Sequence, residues 1–225
     1  MADKTYEPQY QAHVELRDAK GFTRLGLRAN ATWHLDPKRL GIVLARYKFV
    51  AKMLSGKQRV LEVGVGDGWA SRVVKQEVGT LVGIDIDPVF VSDAMAAMED
   101  PWTFECQVHD MLAGPIAPLF EAAYALDVLE HIVERDEHRF IANIAASLVE
   151  PGVAIFGMPS LESQEYASPG SKEGHVNCKS APDLKRVLQR HFHEVFIFSM
   201  NDEIVHTGFH KLAHYLFALC VGRRN

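Results

Sequence analysis

One heptapeptide constrains the fold of this chain more than any other stretch: Glu62-Val-Gly64-Val-Gly66-Asp-Gly68. It follows directly on an apolar run, RVLEVG at 59–64, and leads into a helix-like segment at 67–78. Three alternating glycines let the chain turn tightly, and they leave bare backbone for a ligand to lie against. The helix that follows turns its free N–H groups toward the same place. Strand, glycine turn and helix in that order predict α/β architecture.

Helices and strands alternate from there. LVGID (81–85), FECQV (104–108), AAYALD (122–127) and VAIFGMP (153–159) are short apolar runs bounded by turn residues, as strands buried on both faces are. Helix-like segments fill 88–99 and 134–148, and Ser180 or Pro182 opens another to His191. EVFIFSM (194–200) and HYLFALCVG (214–222) have no full helix between them, so they are read as an antiparallel closing pair. The expected fold is α/β: a doubly wound, mostly parallel seven-stranded sheet with an antiparallel closing strand and helices on both faces. Residues 1–55 are read as an N-terminal helical cap or lid, and 56–225 as one compact domain. Within the cap, a short helix is expected in 8–30. A second starts with Asp36 as N-cap and Pro37 in the first turn, with apolar residues at helical spacing from Leu40 to Leu54.

The glycines fail the dinucleotide fingerprint G-x-G-x-x-G, because its last position falls on Trp69 or Ser71. A carboxylate at Glu62, two residues before the first glycine, suits a cationic ligand better than a pyrophosphate. The second strand ends in Asp85-Ile86-Asp87. There Asp85 stands where a ribose diol would be held, and Asp87 precedes Pro88 as a helix N-cap. The third runs into His109-Asp110-Met111, which places a carboxylate near an adenine amino group.

Taken together these residues resemble the class I, Rossmann-like S-adenosylmethionine-dependent methyltransferases. Leu126-Asp-Val-Leu-Glu-His131 resembles that family's stretch after strand four, and Pro151-Gly152 its turn before strand five. The resemblance spans roughly residues 59–160 and implies S-adenosylmethionine as cofactor, with S-adenosylhomocysteine as product. It implies a cofactor set of Glu62, Gly64, Val65, Gly66, Gly68, Asp85, Ile86, His109, Asp110, Met111 and Asp127. The implied activity is transfer of a methyl group to an oxygen or nitrogen of a small metabolite. The alternatives are a non-catalytic S-adenosylmethionine-binding protein and a nicotinamide-dependent oxidoreductase.

Methyl transfer is an in-line displacement that needs a base only when the nucleophile must lose a proton. His131, after strand four, and His175, in the loop after strand five, are the expected catalytic residues; His206 ranks behind them. The methyltransferases of the ubiquinone pathway and of small RNAs use a Glu-x-x-Glu-His run to help bind a divalent ion. Here Asp127 replaces the first Glu, and the expectation is that no metal is bound. Trp33 and Tyr166 are candidate pocket walls, and Arg46 and Tyr47 candidate partners of the cofactor's carboxylate.

The net charge of −5 is unevenly spread: residues 1–58 hold eleven Lys/Arg against five Asp/Glu. A helix pair matched to an acidic body explains this better than a polyanion site, so nucleic acid is not the expected partner. No apolar run reaches the roughly 18 residues that cross a bilayer, and no membrane partner is expected. Three scattered cysteines predict neither disulfides nor a zinc knuckle, and point to the cytoplasm. The apolar stretch 210–220 is read as either a buried edge strand or the surface of a homodimer.

Overall fold

The computed structural model describes residues 3–224. Eight strands form one sheet: β1 (Arg59–Val63), β2 (Thr80–Asp85), β3 (Glu105–Val108), β4 (Phe120–Leu126), β5 (Leu148–Pro159), β6 (Phe192–Asn201), β7 (Ile204–His206) and β8 (Tyr215–Arg223). Their order is β3-β2-β1-β4-β5-β8-β6-β7. The first five pair in parallel, and β8 lies antiparallel between β5 and β6. The sheet therefore has one strand more than the seven expected. The addition, β7, is three residues long and folds back on the end of β6, pairing Asn201 with Ile204 and Ser199 with His206. A strand that short carries too little pattern to stand out from a loop.

Alternation along the strands sorts side chains onto two faces. Leu61, Val63, Ala123, Ala125, Ala154, Phe156, Leu216 and Ala218 point to one side, where α6 (Glu134–Ala146) and α8 (Ala181–Leu188) bring Phe140, Ile141, Ile144, Leu184 and Leu188. Val60, Tyr124, Ile155, Tyr215 and Phe217 point to the other, against α3 (Lys38–Met53) and α4 (Ser71–Lys75). β8 is apolar because both its faces are buried. The stretch read as an edge strand or a dimer surface is therefore an interior strand.

Before the sheet come α1 (Gln11–Lys20), α2 (Leu27–Leu35) and α3. Helix α2 is not among the elements expected from the sequence. Asp36 closes α2 rather than capping α3 with its side chain, and Pro37 takes the cap position. Val50, Ala51 and Leu54 are at most 2% exposed, so α3 is built into the core. Helix α5 (Pro88–Ala96) starts as expected, with Asp87 Oδ1 accepting from Val89 N–H at 2.8 Å. No helix among the described residues is long and apolar enough to cross a membrane.

Candidate functional site

Strand order reverses between β1 and β4, and a crevice opens there beyond the carboxyl ends of the strands, where open α/β sheets take their ligands. The cleft measures about 470 Å³, within the range of small-molecule sites. Gly64, Gly66, Asp85, Ile86, His109, Asp110, Met111 and Asp127 all line it, together with His131.

The glycine turn is left-handed at three points, with φ of 78° at Gly64, 55° at Gly66 and 64° at Gly68. A Cβ on Gly64 would collide with Val128. One on Gly66 would meet nothing within 4 Å, because it would project into the cleft. Asp85 is pinned on both oxygens, Oδ2 accepting from Gly66 N–H at 2.9 Å and Oδ1 from Asp87 N–H at 3.0 Å. Each oxygen keeps a second lone pair for a ligand hydroxyl. Asp110 Oδ1 accepts from Leu112 N–H at 2.8 Å. The His109 ring donates to the Gly114 carbonyl at 2.9 Å and braces the same turn. Ile86, 66% exposed, stands with Phe90, Leu112, Ile132 and Phe140 as an apolar wall wide enough for a planar base.

Three members of the expected cofactor set lie off this cleft. Gly68 packs against Phe104 and Ala94. Val65 is buried and borders a smaller neighbouring recess with Arg28, Tyr47, Gly66 and Asp127. Glu62 is buried and faces neither cavity; its Oε1 accepts from the Tyr47 hydroxyl at 2.9 Å. Burial pushes its carboxyl up to about 7, against the lowering influence of the Ser71, Tyr124 and Tyr47 hydroxyls. Glu62 thus lies beneath the base of the glycine turn, off the cleft.

Asp127 ends β4 with φ of 56°, a strained backbone for a residue other than glycine. Arg46 Nη1 donates to both its oxygens, at 3.0 and 2.9 Å, and Arg28 Nη2 lies 3.6 Å away. Burial opposes ionisation of Asp127, but the two arginines outweigh it and hold its pKa below the ordinary value. Arg46 is buried, with its guanidinium 3.7 Å over the Tyr215 ring. Arg46 and Tyr47 are therefore both engaged inside the protein rather than reaching toward the cleft. The cation at the cleft is Arg28, on α2, exposed and bordering both cavities. No sequence signal marks Arg28, because α2 buries only Ala29 and carries no strong apolar periodicity.

His131 is exposed on the cleft rim and His175 stands beside it, with ring centroids 5.3 Å apart. Burial and the neighbouring His131 lower the His175 pKa. Glu130, beneath them, is fully buried; burial and then the charge of Asp127 push its carboxyl well above the ordinary range. His206 is tied to Asn201 in the β6–β7 hairpin at the far edge of the sheet. Trp33 and Tyr166, 56% and 84% exposed, wall no part of the cleft.

A family model described as a methyltransferase domain matches residues 18–191. The chain belongs to that family. Its fold matches that of the N-methyltransferase NodS from Bradyrhizobium japonicum WM9, solved with S-adenosyl-L-homocysteine. The TM-score is 0.60 at 18% identity, over 84% of this chain and 91% of that one. It also matches a TehB-like SAM-dependent methyltransferase from Corynebacterium glutamicum, with a TM-score of 0.59 at 18% identity over 96% of each chain. A third match is the DhpI-SAM-HEP complex, with a TM-score of 0.62 at 15% identity over 97% of this chain and 99% of that one. No curated protein matches by sequence. The protein is a class I, Rossmann-like methyltransferase, and the family's methyl donor is S-adenosylmethionine.

Proposed function

We propose that this enzyme methylates an oxygen or nitrogen of a small metabolite. The observation that carries the reading is one cleft holding the glycine turn, Asp85 and Asp110 on one wall and His131 on its rim. Asp85 holds the ribose hydroxyls of the cofactor, Asp110 and the Met111 backbone take the adenine edge, and Ile86 covers the base. Gly64 and Gly66 let the chain of the cofactor lie against backbone, and Arg28 meets its carboxylate. When bound, S-adenosylmethionine supplies a methyl carbon already activated by its sulfonium.

The protein's own task is then alignment of the nucleophile and exclusion of water. Handling the acceptor's proton falls to the His131–His175 pair. A small acceptor fits the charge distribution as well. Four of the eleven Lys/Arg of residues 1–58, namely Arg17, Arg28, Arg46 and Lys52, pair with carboxylates of the same chain, Lys52 with Glu77 at 2.6 Å and Arg46 with Asp127 at 2.9 Å. Every residue invoked comes from one chain, so the reading needs no second copy.

Calorimetry with S-adenosylhomocysteine tests the cofactor assignment. Asp85→Ala should weaken binding at least about tenfold, since it removes a bidentate, charge-assisted contact. An unchanged affinity would sink the ribose role of Asp85.

A further inference from the structure

Glu130 is the least explained group in the molecule. It is 0% exposed, and neither of its carboxylate oxygens has a hydrogen-bond partner among the described residues. A carboxylate buried in this way is costly unless a cation meets it.

Two imidazoles beside it are already oriented for that purpose. His131 Nδ1–H donates to the Gly174 carbonyl at 2.8 Å, and His175 Nδ1–H to Gln164 Oε1 at 2.9 Å. Both acceptors lack a proton to give, so they fix the tautomer and leave each Nε2 with a free lone pair. Metal-binding histidines are held by such partners. Glu130, His131 and His175 each offer a ligand atom, and these atoms lie within 4.8 Å of one another. Ligands at about 2.0–2.2 Å from an ion stand about 3–3.5 Å apart, so closure needs side-chain movements of about 1 Å. The supporting backbone is firmly tied. Asn177 N–H donates to the Glu130 carbonyl at 3.0 Å, and the Asn177 side chain donates to buried Glu137 at 2.9 Å.

We propose that Glu130, His131 and His175 bind one divalent transition-metal ion at the acceptor end of the cleft. Two imidazoles and a carboxylate suit zinc, manganese, iron or cobalt better than magnesium or calcium. Asp127 stays outside the ligand set because Arg46 engages both its oxygens. Three protein ligands leave positions open, and through His131 these face the cleft. The role of the ion rests on the methyl-transfer reading above. An acceptor hydroxyl bound there releases its proton to solvent near neutral pH. Its oxygen then forms the new bond to the methyl carbon, while the electron pair of the broken carbon–sulfur bond stays on sulfur. The acceptor atom is accordingly oxygen, and the His131–His175 pair handles its proton through the ion it holds.

Metal-stripped protein is titrated with Co²⁺ and followed by its visible absorption bands, while S-adenosylhomocysteine binding is measured separately by calorimetry. One equivalent of cobalt, displaced by Zn²⁺, is expected. His131→Ala and His175→Ala, neither of which opens a hole in the core, should each weaken cobalt binding at least about tenfold and leave cofactor affinity unchanged. Glu130→Gln should do the same. Absence of cobalt binding, or binding that both histidine variants leave intact, overturns the site. Cobalt binding as expected with no S-adenosylhomocysteine binding supports the site and sinks the cofactor reading instead.

Discussion

Replacing Glu62 by Gln separates the two roles this residue could have. Its carboxyl is buried, and burial raises its pKa from 4.5 to about 7. A carboxyl whose folded pKa is raised binds its proton more tightly in the native state than in the unfolded one. The stability this contributes is full below about pH 4.5 and is lost as pH rises through about 7. At 1.36 kcal/mol per unit, a shift of about 2.5 units amounts to about 3 kcal/mol across that window. The amide introduced by Glu62→Gln cannot ionise, yet its oxygen can still accept from Tyr47, and its nitrogen stands near the Ser71 and Tyr124 hydroxyls, whose oxygens are free to accept from it. Urea denaturation of both proteins at intervals from pH 5 to 8.5 gives the comparison. Groups shared by the two proteins cancel in the difference. Glu62→Gln should match the parent near pH 5 and exceed it by up to about 3 kcal/mol at pH 8.5, or roughly 6–12 °C in Tm for a chain of this size. It should also keep its affinity for S-adenosylhomocysteine within a few-fold. A stability difference that stays constant from pH 5 to 8.5 refutes the raised pKa. A tenfold loss of cofactor affinity would return Glu62 to direct ligand contact.

Two further substitutions probe the site from either side. Gly66→Ala forces a side chain to φ of 55° and points its methyl into the open cleft. Denaturation should show a loss of only about 1–2 kcal/mol, whereas calorimetry should show cofactor affinity falling at least about tenfold; preserved affinity would mean the cofactor does not lie on this backbone. Arg46→Ala leaves the Asp127 charge half-buried with only the more distant Arg28 beside it. It should cost about 3–5 kcal/mol in urea denaturation, and Arg46→Lys should recover only part of this, because one ammonium cannot reproduce the stacked guanidinium.

What the chain discloses in advance follows from how local each determinant is. The glycine turn, the Asp87 cap and the carboxylates at the tips of β2 and β3 are written in short contiguous stretches. Their spacing, with the family resemblance it carries, therefore leads to the cleft lined by eight of the eleven expected cofactor residues. Glu62 belongs to the same stretch and still lies off the cleft, because alternation along β1 sends its side chain beneath the turn toward Tyr47. No local pattern separates those two outcomes. Arg28 reaches the cleft only because α2 is held across it: Ala29 N–H donates to Asp67 Oδ2 at 2.8 Å and Leu27 N–H to Asp93 Oδ2 at 2.7 Å. These contacts join residues 38 and 66 positions apart. The Glu130–His131–His175 cluster lies between those extremes. Glu130 and His131 are adjacent in sequence, and a Leu-Glu-His stretch reads equally well as an ordinary helix start. What gives it a different meaning is non-local: His175 arrives from 44 residues further on, oriented by Gln164, and the Glu130 carboxylate loses every hydrogen-bonding neighbour on folding. Residue types can nominate metal ligands, but only folding reveals which carboxylate has a neutralising partner. Asp127 is paired with two arginines, whereas Glu130 has no salt-bridge partner among the described residues, and that difference moves the proposed ion from the Asp-x-x-Glu pair to Glu130 and its two imidazoles.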